Sequence, residues 1–197
     1  MSYTKNRVIS SVRTMLQEQG HNDHPALVED AINHVYSQLL IQIPQSPHNQ
    51  YEIYTKNYKA SIALDSDSNR YYVNLPVAVV NLPRKGGGVV SVQSEDGKGF
   101  RYYPVSEQEW RLTANIESGL YNRYYGYYVN RNKILFTRDM SSYLGVEVRL
   151  SLVTQFKDFE ATDEVLIPGG QNYDLAQLSY DYITQKSLLD LQIDKED

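Results

Sequence analysis

The sequence predicts an α+β fold with an N-terminal helical hairpin, an antiparallel β-sheet or sandwich core, and a C-terminal amphipathic helix. Two observations carry this. Between residues 62 and 105, short apolar runs are punctuated by Leu75-Pro76, Leu82-Pro83, Gly86-Gly87-Gly88 and Asp96-Gly97, the pattern of strands joined by tight turns. Two stretches before this region and one near the end of the chain carry apolar residues at helical spacing.

Val8, Ile9, Val12, Met15 and Leu16 define the first helix, with Thr4 or Ser2 as N-cap and Gly20 as the residue that ends it. Pro25 opens a second helix, with Asp23 and His24 before it and the stripe Val28, Ala31, Ile32, Val35 and Leu39 along it. Together they form a helical hairpin over 4–42, closed by Pro44 and Pro47. From Tyr51 the period changes to two, with Tyr58, Ala60, Ile62 and Leu64 on one face. A polar turn over 65–69 leads into a strand ending at Leu75, and 77–83 crosses over or follows an edge, because Pro76 and Pro83 cannot donate to a ladder.

Ser106 and Glu109 have the spacing of a capping box, which predicts a short helix over 106–112 carrying Trp110, the one tryptophan. The stretch Tyr121, Tyr124, Tyr125, Tyr127 and Tyr128 leads through Asn130-Arg131-Asn132 into an apolar run, the clearest hairpin in the chain. Val146, Val148, Leu150 and Leu152 then alternate with polar residues as a strand with one buried face. After Ile167-Pro168-Gly169-Gly170, Asn172 is placed to cap a last helix over 172–191, with Leu175, Leu178, Tyr182 and Leu189 on its apolar face. The expected organisation is one domain, 1–197, with a β-rich core over 51–154 and no linker or repeat.

A chain of 197 residues buries about 70% of the surface its unfolded form exposes, so a single core needs no staple. Cysteine is absent, which removes disulfides, thiolate ligands and thiol nucleophiles and suits a reducing cytoplasm. No apolar signal segment opens the sequence and no run is long enough to span a bilayer, so the expectation is a soluble compartment and no membrane partner. The net charge of −5 is uneven, since residues 155–197 hold 10 acidic and 3 basic residues. That balance is the reverse of a nucleic-acid grip, which relies on excess Lys and Arg.

The candidate chemistry is thin. Arg84-Lys85-Gly86-Gly87-Gly88 continues into strand-forming Val89 and Val90 instead of opening a helix, so it reads as a turn and not as a phosphate cradle. His21, His24, His34 and His48 lack metal-site spacing, and Asp23 beside two of them is explained by helix capping. Carboxylate pairs such as Glu107 with Glu109, or Glu29 with Asp30, read as solvated surface. No catalytic residue, cofactor site or metal site is assigned, and the expectation is a protein that is not an enzyme. The tyrosine cluster with Arg123 and Arg131 is the alternative: a binding module for glycan or single-stranded nucleic acid.

Taken in order, the helical hairpin over 8–41, the strand after Tyr51, Tyr71-Tyr72-Val73-Asn74-Leu75-Pro76, Leu82-Pro83, Gly88-Val89-Val90-Ser91-Val92 and Ile167-Pro168-Gly169-Gly170 before a Leu- and Tyr-rich helix resemble a known family. It is that of the head-to-tail connector proteins of tailed bacteriophages, also called adaptor or ring proteins, and in particular those of short-tailed and crAss-like phages. The resemblance covers most of the chain and implies a structural virion protein, made in the host bacterial cytoplasm and placed at the head-tail junction. It implies a closed ring of about twelve copies, bound to the portal protein and to neighbouring tail or ring proteins, with genomic DNA passing without sequence-specific contact. Tyr121, Tyr124, Tyr125, Tyr127 and Tyr128 are then expected at a subunit or partner contact, because so many aromatics in a polar stretch otherwise leave an exposed patch. Leu188, Leu189 and Leu191 are expected to dock the last helix on a neighbour or in a portal groove.

Overall fold

The computed structural model describes residues 3–42, 50–66, 69–94, 101–114, 126–167 and 174–193. In chain order it shows α1 (Lys5–Glu18), α2 (Pro25–Ile41), a 3-10 turn (Gln50–Tyr54), β1 (Lys56–Ser61), β2 (Ala63–Asp65), β3 (Arg70–Asn74), β4 (Val89–Ser94) and β5 (Arg101–Pro104). There follow α3 (Glu107–Ala114), β6 (Gly126–Asn130), β7 (Lys133–Phe136), β8 (Glu147–Leu152) and α4 (Leu175–Ile193). The fold is α+β, as the sequence predicts. Where the sequence shows no boundary, the chain divides into two compact units: residues 1–50 with 155–197, and residues 51–154. The second crossing falls just after the buried Thr154, with no linker composition to mark it.

The helical unit is built from both ends of the chain. Gly20 adopts φ +69°, and the N–H groups of Gly20 and His21 donate to the carbonyls of Gln17 and Leu16, closing α1 in a Schellman motif. Thr4 is the N-cap of α1 but its hydroxyl makes no cap bond. Asp23 does not cap α2 either, since the N-cap is His24. Its carboxylate accepts from the Arg13 guanidinium at 3.0 Å and the Gln17 amide at 2.6 Å, which ties the interhelical link back to α1 and holds its pKa below the ordinary value. In α2 the buried stripe includes Tyr36, while Val35 lies only half in, a rotation of the face by one residue. Tyr36 packs against Phe156 and Phe159 at 6.2 and 5.9 Å.

The returning segment is stitched to the chain start, with Lys5 and Asn6 N–H donating to the Asp163 and Ala161 carbonyls and Val165 N–H to Tyr3. Lys5 Nζ completes the join, lying 2.7 Å from Glu29 and donating to the Lys157 carbonyl at 2.8 Å. The predicted cap Asn172 lies outside the described residues. Asp174 performs that task, accepting from the N–H groups of Ala176 and Gln177, with Leu175, Ala176, Ser179 and Ile183 as the buried face of α4.

The β unit is one sheet in the order β1-β8-β4-β5-β6-β7-β3-β2. Its two edge members, β1 and β2, are halves of a single strand interrupted at Ile62, so the sheet curls until it closes on itself. Counting that strand once gives seven among the described residues, and an odd ring cannot alternate direction throughout. One parallel pair is required, and β5 with β6 supplies it, the exception to an otherwise antiparallel sheet.

At the interruption, Ile62 N–H donates to Val146 and its carbonyl accepts from Gly145. The inward face shifts by one residue there: Ile62 is buried, but Leu64, expected on the same face, is 40% exposed. Tyr51 lies in the 3-10 turn, so the strand starts five residues later than the sequence pattern suggests. Val73, Val89, Val92, Tyr102, Tyr127, Ile134, Phe136, Val148, Leu150 and Leu152 fill the interior.

Candidate functional site

The Gly86-Gly87-Gly88 segment forms a turn, with φ +85° at Gly86 and +54° at Gly87 and with Val89 N–H donating to Gly86. Gly88 answers to a different constraint, because a Cβ there would meet the Val80 carbonyl at 2.5 Å and the Val153 carbonyl at 3.0 Å. This close approach lets the Val80 N–H donate to Val153 and the Val153 N–H to Gly88. The turn therefore lies beside β6, whose two-residue loop to β7 contains Arg131 at φ +53°.

Between them is a groove of about 560 Å³. Val79, Val80, Val105 and Val129 supply its apolar wall, and Arg84, Lys85 and Arg131 supply positive charge. Among the described residues, none of those lining the groove is acidic. Lys85 Nζ lies 3.0 Å from both carboxylate oxygens of Glu109, at the start of α3. Glu109 is also the partner of Ser106 in the predicted capping box: Ser106 N–H and Oγ donate to its Oε2 at 2.7 and 2.9 Å, and Glu109 N–H returns a bond to Ser106 Oγ. The Ser106 N–H bond, then Lys85 and the Ser106 hydroxyl, hold the Glu109 carboxyl down at about 2. Arg84 lies 5.9 Å from the centre of the Tyr51 ring. An anionic ligand with an apolar body is what such a lining can hold; Ser106 Oγ, within the capping box, has no histidine base beside it among the described residues.

The predicted contact residues separate. Tyr121, Tyr124 and Tyr125 lie outside the described residues, as does Arg123. Tyr127 is a correction: it points into the sheet interior, fully buried, and its hydroxyl donates to the Val89 carbonyl at 3.0 Å, so it cannot present a surface. Burial holds its phenol neutral well beyond the ordinary range. Tyr128, one residue on, faces outward, packs its ring at a tilt on Trp110 with centroids 5.8 Å apart, and donates to Glu107 at 3.2 Å. Trp110 is fixed in turn by donation to the Phe136 carbonyl and by Arg70 over its ring at 5.0 Å. An open tyrosine platform therefore does not form from these two. Leu188, Leu189 and Leu191 belong to α4 by backbone, but their side chains lie outside the described residues.

Among the other candidates, Glu107 is engaged by Arg111 and Tyr128. His34 stacks on Tyr182 at 4.7 Å and His21 meets the Tyr180 edge. His48 is outside the described residues, and among those described no three metal-ligating side chains converge. Nor is any described helix long and apolar enough to cross a membrane.

Large apolar side chains stay exposed on both units. In the β unit, Leu144 (47%) and Val146 (45%) stand beside the Ile62 interruption, two residues from Leu64. In the helical unit Leu27 and Ile41 are exposed on α2, and Leu27 borders a groove of about 440 Å³ against Tyr182 and Ile183 of α4. The sequence signal for the first cluster was the alternation through Val146, read there as a buried face. By class, this is a two-unit α+β chain whose β unit is a closed sheet. It matches no known family model, and no curated protein matches its sequence.

Proposed function

We propose that this chain is a structural ring-forming protein of the phage head-to-tail connector type, joining the portal to the tail and lining the DNA channel. The observation that carries the reading is the pair of unlike apolar features, Leu64, Leu144 and Val146 on the β unit and, on the helical unit, Leu27 at the rim of the groove it forms with Tyr182 and Ile183. A closed ring of identical subunits uses a heterologous contact, which needs two different faces on every copy, whereas a two-fold dimer needs one. Large side chains clustered at a strand interruption, beyond the scattered exposure ordinary for a surface, suit such a contact. The sequence resemblance supplies the rest of the reading: the place at the head-tail junction, the portal partner and the passing DNA.

Mass measurement of the purified chain across a concentration series, alone and with a portal protein, tests it. A closed oligomer of one defined mass, or a stoichiometric complex with the portal, is expected. A monomer at every concentration that also fails to bind the portal refutes the reading.

A further inference from the structure

We infer that the basic groove of the β unit receives the acidic C-terminal segment, residues 190–197, of a second copy of this chain. The inference rests on the ring reading and names the contact that would link successive copies. Arg84, Lys85 and Arg131 line the groove over a valine wall, with no carboxylate among the described lining residues. Glu109 stands behind Lys85 and offsets that charge, which puts the weight on Arg131. Arg131 sits exposed at the tip of the β6–β7 turn, and no partner is seen for it among the described residues.

The segment Asp190-Leu191-Gln192-Ile193-Asp194-Lys195-Glu196-Asp197 carries four carboxylates against one lysine, with Leu191 and Ile193 among them. Carboxylates match the planar fork of arginine, and the two apolar side chains match the valines. A phosphodiester chain would bring charge without that apolar complement, and the three cations of the lining are few for a site that draws its affinity from phosphate neutralisation. Groove and segment belong to different units of the chain. Their pairing between copies is therefore head-to-tail and can repeat around a ring. Asp190–Ile193 form the last turn of α4, and the four residues beyond it reach about 14 Å when extended, so the segment is offered from a helix end.

The test uses the full chain and two charge reversals, R131E in the groove and D194K/E196K/D197K in the tail, with Trp110 emission to verify the β unit and far-UV circular dichroism to verify the helices. Each alone should weaken assembly about tenfold or more, in line with loss of a charge-assisted pair. Combining both reversals in one chain, or mixing the two variants one to one, should restore it. Assembly unchanged by either reversal, or lost and not restored by their combination, overturns the tail-in-groove contact and leaves the ring reading standing.

If the wild-type chain stays monomeric, a labelled synthetic peptide of residues 188–197 separates the two ideas. Binding that is lost with R131E supports the contact while the ring fails; no binding overturns both. Dependence on R131E for a single-stranded oligonucleotide, with no effect of tail charge, overturns the choice of occupant. So does a tail effect that is independent of concentration, since that places the segment in its own groove.

Discussion

Tyr127 distinguishes a core residue from a contact residue within one tyrosine-rich stretch. Its ring is fully buried among the interior side chains of the β unit, and its hydroxyl donates to the Val89 carbonyl at 3.0 Å. Tyr127→Phe keeps the ring and removes one buried hydrogen bond, leaving an acceptor without its donor, a loss of about 1–2 kcal/mol. Tyr127→Ser also empties the space of the ring and should cost about 3–5 kcal/mol, the range for deleting a buried aromatic. Trp110 is the one tryptophan and sits in the β unit, so its emission follows the unfolding of that unit in urea. For a unit of about 100 residues, the phenylalanine variant should melt roughly 4–12 °C lower.

The same pair carries a pH signature. Burial raises the phenol pKa, so its contribution is complete below the unfolded value near ~10 and is lost as pH rises above it. The gap between wild type and Tyr127→Phe should therefore narrow in strong alkali. A Tyr127→Ser variant that melts like wild type yet fails to assemble would refute the burial argument and return Tyr127 to the surface.

Gly88→Ala should disrupt the β unit by about 3 kcal/mol or more, because the new methyl meets backbone carbonyls on both sides. Gly145→Ala, at φ +77° with open space around it, should cost only about 1–2 kcal/mol, and equal losses in urea melts would contradict the steric reading. The Glu109 carboxyl is held at about 2, so its contribution is complete above the ordinary value of 4.5 and fades as pH falls from there toward 2. Wild type and Glu109→Gln should thus differ in melting temperature at pH 7 and converge near pH 2, and a constant difference would count against the capping box as its source. Leu144→Asp with Val146→Asp should abolish self-association while leaving the melting temperature within a few degrees of wild type; unchanged mass at equal concentration would remove this surface from the assembly.

Local chemistry was enough to place much of this architecture. The Schellman glycine of α1, the proline opening α2, the Ser106–Glu109 box and the alternation along β8 each depend on residues within a few positions of one another, and each is found where its pattern lies. What the tertiary structure decided depends on residues far apart in the chain. The closure of the sheet is set at Ile62, where bonds to Gly145 and Val146 shift the face, so Leu64 turns outward although its spacing matches Tyr58 and Ala60. Tyr127 and Tyr128 are indistinguishable by composition, and strand pleating sends one to the core and the other to Trp110. The cations of the groove, Arg84 and Arg131, lie far apart in the chain and meet only in the packed sheet, where Gly88 also lets the Val80 and Val153 segments come within carbonyl distance. No periodicity in a single sequence encodes that approach, since it is a property of the packed sheet and not of any one strand.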